Sequence, residues 1–254
     1  MLTGKNYYAF GCSFTFGDGF PDCVEGLTPS TKTYPNKIAD HYGLNLKNCS
    51  QAGSSPVGQF NRFHYKYHNM NKGDLVTFIW PASWRYNIIQ EWDLEFIEDV
   101  NKTDVAYFES NFNPGLRQTP HPSFPESKYV ETETWYSDYY THLNSVINLS
   151  TYIHTVEKMC ELKGIHCVQT VLHEEDLILL KQLQKYDLPH NHHFKDTKFQ
   201  TMGMNCYVRY EGITARVTRF TGLEPGYLPD RHFNEDTHII WAHYFSRKID
   251  RLSY

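Results

Sequence analysis

The sequence predicts an α/β protein with one mostly parallel sheet of about five strands and helices packed on both faces. Two observations carry this. Short apolar runs alternate with helix-length amphipathic patterns along the chain. Two of those runs, LVTFIW at 75–80 and IHCVQTVL at 165–172, read as strands buried within a sheet.

The elements follow in order. NYYAF at 6–10 reads as a first strand ending at Gly11. Residues 34–42 form a helix with Ile38, Ala39 and Tyr42 on one face and Gly43 as its C′ residue. A short strand at 44–48 follows. Ser55-Pro56 has the form of an N-cap followed by Pro at N1, and Val57, Phe60, His64 and Tyr67 then recur as a helical stripe. Gly73-Asp74 turns the chain into LVTFIW. Val146, Leu149, Ile153, Val156 and Cys160 mark a long helix that stops at Gly164. A helix at 174–187 and a strand at 214–220 come next. Asn234 caps a last helix with Glu235 and Asp236 in its first turn and Ile239, Ile240 and Tyr244 on its apolar face. Between them, residues 86–133 dissolve into Asn, Pro, Ser and aromatics and read as an insertion or lid on one domain spanning 1–254.

Composition narrows the function classes. The 254 residues are 40% hydrophobic, low for a globular chain, but 16 Phe and 5 Trp can build a sizeable core. A net charge of −5 argues against a binder of phosphate backbones, so no nucleic-acid partner is expected. No stretch approaches the ~20 apolar residues of a membrane span, and the N-terminus lacks the pattern of a signal peptide. A cytoplasmic protein with no membrane partner is the expectation, its 6 cysteines free thiols without a CxxC pair. Scarce Ala beside abundant Asn, Lys and Tyr is a bias that AT-rich coding produces, which suggests a bacterial or bacteriophage origin.

Three segments have the residue types for chemistry. Gly11-Cys-Ser13-Phe-Thr-Phe-Gly17 follows the first strand directly, where open parallel sheets bind ligands. It has neither the Walker lysine nor a GxGxxG pattern. The competing reading is a small-residue turn whose serine caps the next helix. Pro229-Asp230-Arg231-His232 offers a base and a carboxylate two residues apart, on one side of an extended segment. A second pair, Asp236 and His238, falls inside the helix capped by Asn234, where residues two apart do not face each other. Gly53 precedes a helix N-terminus whose free N–H groups suit a developing oxyanion. His190, His192 and His193 lack spaced partner ligands, and a surface loop is the better reading, so no metal and no cofactor are expected.

Together the three segments resemble the SGNH (GDSL-like) hydrolase family. Gly11, Ser13 and Gly17 match its G-x-S-x-x-x-G block, Gly53 its second-block glycine, and Asp230 with His232 its terminal Asp/His block, here Asp-x-His instead of Asp-x-x-His. The resemblance implies a flavodoxin-like three-layer α/β/α sandwich and a serine ester hydrolase. Ser13 would be its nucleophile, His232 its base and Asp230 the group that orients the base. The family's third block, G-x-N-D, is absent after LVTFIW; Ser83, Arg85 or Asn87 would replace its oxyanion donor, and the sequence does not choose among them. The implied substrate is a small acyl ester, such as an acetyl group on a carbohydrate. An acyltransferase on the same scaffold, a binding protein that has lost catalysis, and a nucleotide binder using Gly11–Gly19 are the rival readings.

Overall fold

A computed structural model of the chain describes residues 5–24, 27–83, 85, 141–172, 174–185, 226–229 and 232–252. Along the chain lie β1 (Asn6–Phe10), a one-turn α1 (Ser13–Phe16), α2 (Tyr34–Tyr42), β2 (Asn45–Asn48), α3 (Pro56–Tyr67) and β3 (Leu75–Trp80). After the region holding the expected insertion come α4 (His142–Lys163), β4 (His166–Val171), α5 (Glu174–Lys185) and α6 (Glu235–Leu252). The insertion at 86–133 and the expected strand at 214–220 lie outside the described residues.

The described strands form one sheet in the order β2-β1-β3-β4, with every neighbouring pair parallel. Side-chain alternation divides the core between its faces. Tyr7 and Ala9 of β1, with Leu75 and Ile79 of β3, meet Tyr34 and Ile38 of α2 and Trp241, Phe245 and Ile249 of α6. Tyr8, Phe10, Val76, Phe78 and Trp80 point the other way, onto Phe63 of α3, the Val146–Cys160 stripe of α4 and Leu177, Leu180 and Leu183 of α5. The result is a three-layer α/β/α sandwich. Its parallel strand order is that of the flavodoxin-like doubly wound folds. Among the described residues no helix is long and apolar enough to cross a membrane.

Local chemistry sets the helix ends as expected. The Ser55 hydroxyl oxygen accepts the Gly58 N–H at 3.1 Å, and Pro56 opens α3. Gly43 and Gly164 close α2 and α4 in the left-handed region, at φ +64° and +69°.

Two buried faces differ from the sequence pattern. On α3 the residues turned inward are Pro56, Gln59 and Phe63, and His64 of the expected stripe is exposed. Phe63 is drawn edge-on to Phe10 and Phe78, 5.8 and 5.7 Å between centroids. On α6, Trp241 and Phe245 lead the buried face, and Ile239 and Tyr244 fall to its margin. Phe245 stacks on Tyr34 at 5.0 Å, a contact between residues far apart in sequence.

Within the core, Phe78 stacks between Phe10 at 4.6 Å and Trp80 at 4.5 Å. The Trp80 indole N–H donates to Gln169 Oε1 at 2.9 Å. We predict that Phe78→Ala costs about 3–5 kcal/mol, read from urea unfolding midpoints. A loss well below 1 kcal/mol would mean that the ring stack does not hold the sheet to α3 and α4.

Candidate active site

In the order β2-β1-β3-β4 the chain leaves β1 toward one edge and later returns on β1's other side, so a crevice opens at the carboxyl ends of β1 and β3. The residues that follow these strands are Gly11–Gly17 after β1 and, after β3, a segment that includes Ser83 and Arg85. The turn after β2, which carries Gly53, lies alongside.

Ser13 is the first residue of α1 and is 8% exposed. Its N-cap is Cys12 in extended conformation, so the Ser13 hydroxyl is not the cap that the competing reading proposed. Gly17 closes the turn at φ +90°, its N–H donating to the Ser13 carbonyl at 2.7 Å. Gly11 is glycine for want of space: a Cβ there would fall on the Thr15 side chain. The Thr15 hydroxyl in turn lies 3.4 Å from that of Tyr34, and Tyr7 reaches Thr77 at 2.8 Å beneath it. Burial pushes the Tyr34 and Tyr7 phenols well above their ordinary range, so these hydroxyls stay neutral supports of the turn.

Gln59 was not singled out in the sequence, yet its fully buried amide grips this turn. Its Oε1 accepts the Gly11 N–H at 3.1 Å and its Nε2 donates to the Gly11 carbonyl. Gln51 N–H donates to the same carbonyl at 3.0 Å, joining the turns after β1 and β2. Gly53 follows at φ +69°, just ahead of the Ser55 cap of α3.

The three candidate donors after β3 differ in what they contact. Ser83 gives its N–H to Asp176 Oδ2 at 2.8 Å and its hydroxyl proton to Asp176 Oδ1. Arg85 Nη1 reaches the Ser54 carbonyl at 3.5 Å, next to Gly53. Asn87 lies outside the described residues.

Asp176 itself is 1% exposed, in the first turn of α5, and also holds His142 Nε2 at 2.9 Å. Asp176, His142 and Ser83 thus tie α5, α4 and the end of β3 together. Neither Asp176 nor Gln59 belongs to a local pattern, because each acts across long sequence separations.

His232 comes from the opposite end of the chain. Leu228 N–H donates to the His232 carbonyl at 2.8 Å and Asn234 N–H to the Gly226 carbonyl at 3.0 Å, holding 226–228 against 232–234. The His232 ring lies 5.1 Å from Phe14 and Phe233 lies 4.6 Å from Phe14, so the histidine packs beside Ser13's chain neighbour. Asp230 lies outside the described residues. Asn234 caps α6 as expected, its Oδ1 accepting the Thr237 N–H at 2.9 Å. That cap puts Asp236 and His238 inside the helix. His238 is 1% exposed and accepts the Tyr34 N–H on Nδ1 at 3.2 Å, a contact between α6 and the start of α2.

The comparisons with known proteins are remote. No protein-family model and no curated protein matches the chain. Solved structures similar to it include the protein YXIM of Bacillus subtilis, at 12% identity and TM-score 0.45, covering 99% of this chain and 58% of that one. A lipolytic protein of the G-D-S-L family from Desulfitobacterium hafniense aligns at 10% identity and TM-score 0.41, covering 96% and 99%. An extracellular lipase of Streptomyces rimosus aligns at 15% identity and TM-score 0.30, covering 65% and 59%. The chain therefore spans 58% of the length of the first of these. The α/β/α architecture is that of the parallel sheet and its two helical layers.

Burial, then the Lys37 ammonium and His232, hold His238 down to about 3 from its ordinary 6.5. The unfolded chain binds this proton below 6.5, whereas the folded chain stays neutral to about 3. Stability therefore rises with pH across that window, and this residue adds no slope above it. We predict that the Tm of the wild type falls between about pH 7.5 and pH 5, and that His238→Gln flattens the fall. An identical slope in the variant would contradict the assignment of His238 as a neutral core residue.

Proposed function

We propose that the protein is a serine ester hydrolase of SGNH type, acting on a small acyl ester. The observation that carries this reading is the meeting of two distant segments at the sheet's carboxyl edge: the Ser13 turn after β1, and His232 packed against Phe14 at 5.1 Å. A serine near neutral pH needs such a base, and the base needs a carboxylate to fix its tautomer. Asp230, two residues before His232, takes that role here on the resemblance of the Asp-x-His segment.

Ser13 Oγ attacks the acyl carbon while His232 takes its proton. The carbonyl oxygen becomes an oxyanion held by the N–H groups of Ser13 and Gly53. Collapse expels the alcohol, which receives the proton from His232 and leaves an acyl-Ser13. Water then attacks the acyl carbon, again giving its proton to His232. The second collapse releases the carboxylic acid and returns the proton to Ser13.

Arg85 is the further oxyanion or substrate donor we favour after β3. Ser83 gives both of its protons to Asp176, whereas Arg85 reaches the Ser54 carbonyl beside Gly53. The Arg85 guanidinium thus lies beside the segment that carries Gly53. Asn87 remains the alternative donor. Carbohydrate acetyl esters are the substrates to try first, by family habit.

The test is hydrolysis of p-nitrophenyl acetate and of acetylated sugars by wild type and variants. We predict that Ser13→Ala and His232→Ala each lower kcat by roughly 10³-fold or more. Arg85→Ala should lower kcat by about 10²–10³, the loss expected of one oxyanion donor. Wild-type turnover that survives Ser13→Ala would overturn the reading. Transfer of the acyl group to an added alcohol faster than to water would instead make the protein an acyltransferase.

A further inference from the structure

Gln59 has no part in the reaction just proposed, yet its amide has no exposed surface and both of its ends are bonded to a single residue. The arrangement copies a β-bridge. On the β2 side the ladder ends at Ala9 opposite Asn48, with the Cys49 N–H on the Ala9 carbonyl, and Gly11 is the next residue of β1's line to face that way. Gln59 offers Gly11 the acceptor and the donor that a neighbouring strand would have supplied, from a helix 48 residues away in sequence. The Gly11 carbonyl also receives the Gln51 N–H at 3.0 Å, so the peptide groups on both sides of Gly11 are fixed. On the remaining side the Thr15 side chain fills the space where a Cβ would sit. Nothing in this clamp is free to shift without breaking a buried hydrogen bond.

We propose that Gln59 is a positioning residue for the Ser13 nucleophile. It holds Gly11, and through the Cys12 peptide sets the direction of Ser13 Oγ and Ser13 N–H toward the acyl carbon and its oxygen. This inference rests on the reading of Ser13 as the nucleophile. Only a carboxamide can make the clamp. Glutamate keeps the acceptor for the Gly11 N–H but sets a second acceptor against the Gly11 carbonyl. Methionine matches the length and offers neither bond. A side chain needed only for packing would lower stability without changing the rate per folded molecule. A positioning residue lowers that rate, because small misplacements of a reacting group cost large factors.

The test is the second-order rate of fluorophosphonate labelling, per folded molecule, in wild type, Gln59→Met, Gln59→Glu and Phe63→Leu. Phe63 is buried one turn further along α3 and touches the Phe10 and Phe78 rings, so its variant serves as a matched loss of stability. Each protein is labelled at a temperature well below its own Tm. The expected result is a slowing of about tenfold or more in both Gln59 variants, with Phe63→Leu at the wild-type rate. Folded Gln59 variants labelled at the wild-type rate, or Phe63→Leu slowed equally, would overturn the positioning role and leave Ser13 as nucleophile. Wild type that takes no label at all would overturn the nucleophile reading and this inference with it. Should neither Gln59 variant fold, amide exchange of wild-type Gly11 decides: strong protection is expected, and exchange at the rate of an open turn would overturn the clamp.

Discussion

Everything at the candidate site hangs from β3. All six of its residues are buried, and it pairs in parallel with β1 on one side and β4 on the other. A central strand so enclosed is apolar apart from Thr77, whose hydroxyl is bonded to Tyr7, and parallel pairing forces the chain to cross over with helices instead of tight turns. Once β3 lies beside β1 with β2 beyond β1, the strand order leaves a crevice at the carboxyl ends of β1 and β3. Ser13, Gly53 and Arg85 are then brought to one edge because each lies within a few residues of the end of its own strand.

That edge is held by contacts from side chain to backbone as much as by the sheet itself. Gln59 bonds both groups of Gly11, and Asp176 bonds both donors of Ser83 together with His142. Each replaces hydrogen bonds that the ladder no longer supplies where the strands have ended, since buried backbone groups must find partners somewhere. The cost is a buried carboxylate and a buried amide. Both are tolerated because their oxygens and nitrogens are bonded on the protein side.

Much of this was legible in the sequence because its signals are local. Ser55-Pro56, Gly43, Gly164 and Asn234 act within one helical turn, and each does what its chemistry dictates. The Asn234 cap also separates the two Asp-x-His segments: His238 is a core residue on Tyr34, and His232 is the histidine beside the Ser13 turn. What was not legible acts at a distance. Gln59 pairs with a residue 48 positions away, and Ser83 with one 93 positions away. The inward faces of α3 and α6 shifted for the same reason, drawn round by ring contacts that no local period encodes. The His142–Asp176 contact likewise joins residues 34 positions apart.

The proposed chemistry requires one reactive serine at this edge. Intact-mass analysis and peptide mapping after exposure to a fluorophosphonate test it most directly. A single adduct is expected, on Ser13, lost in Ser13→Ala and formed more slowly in His232→Ala. A folded protein that takes no adduct, or takes it on a different serine, would rule out Ser13 as the nucleophile.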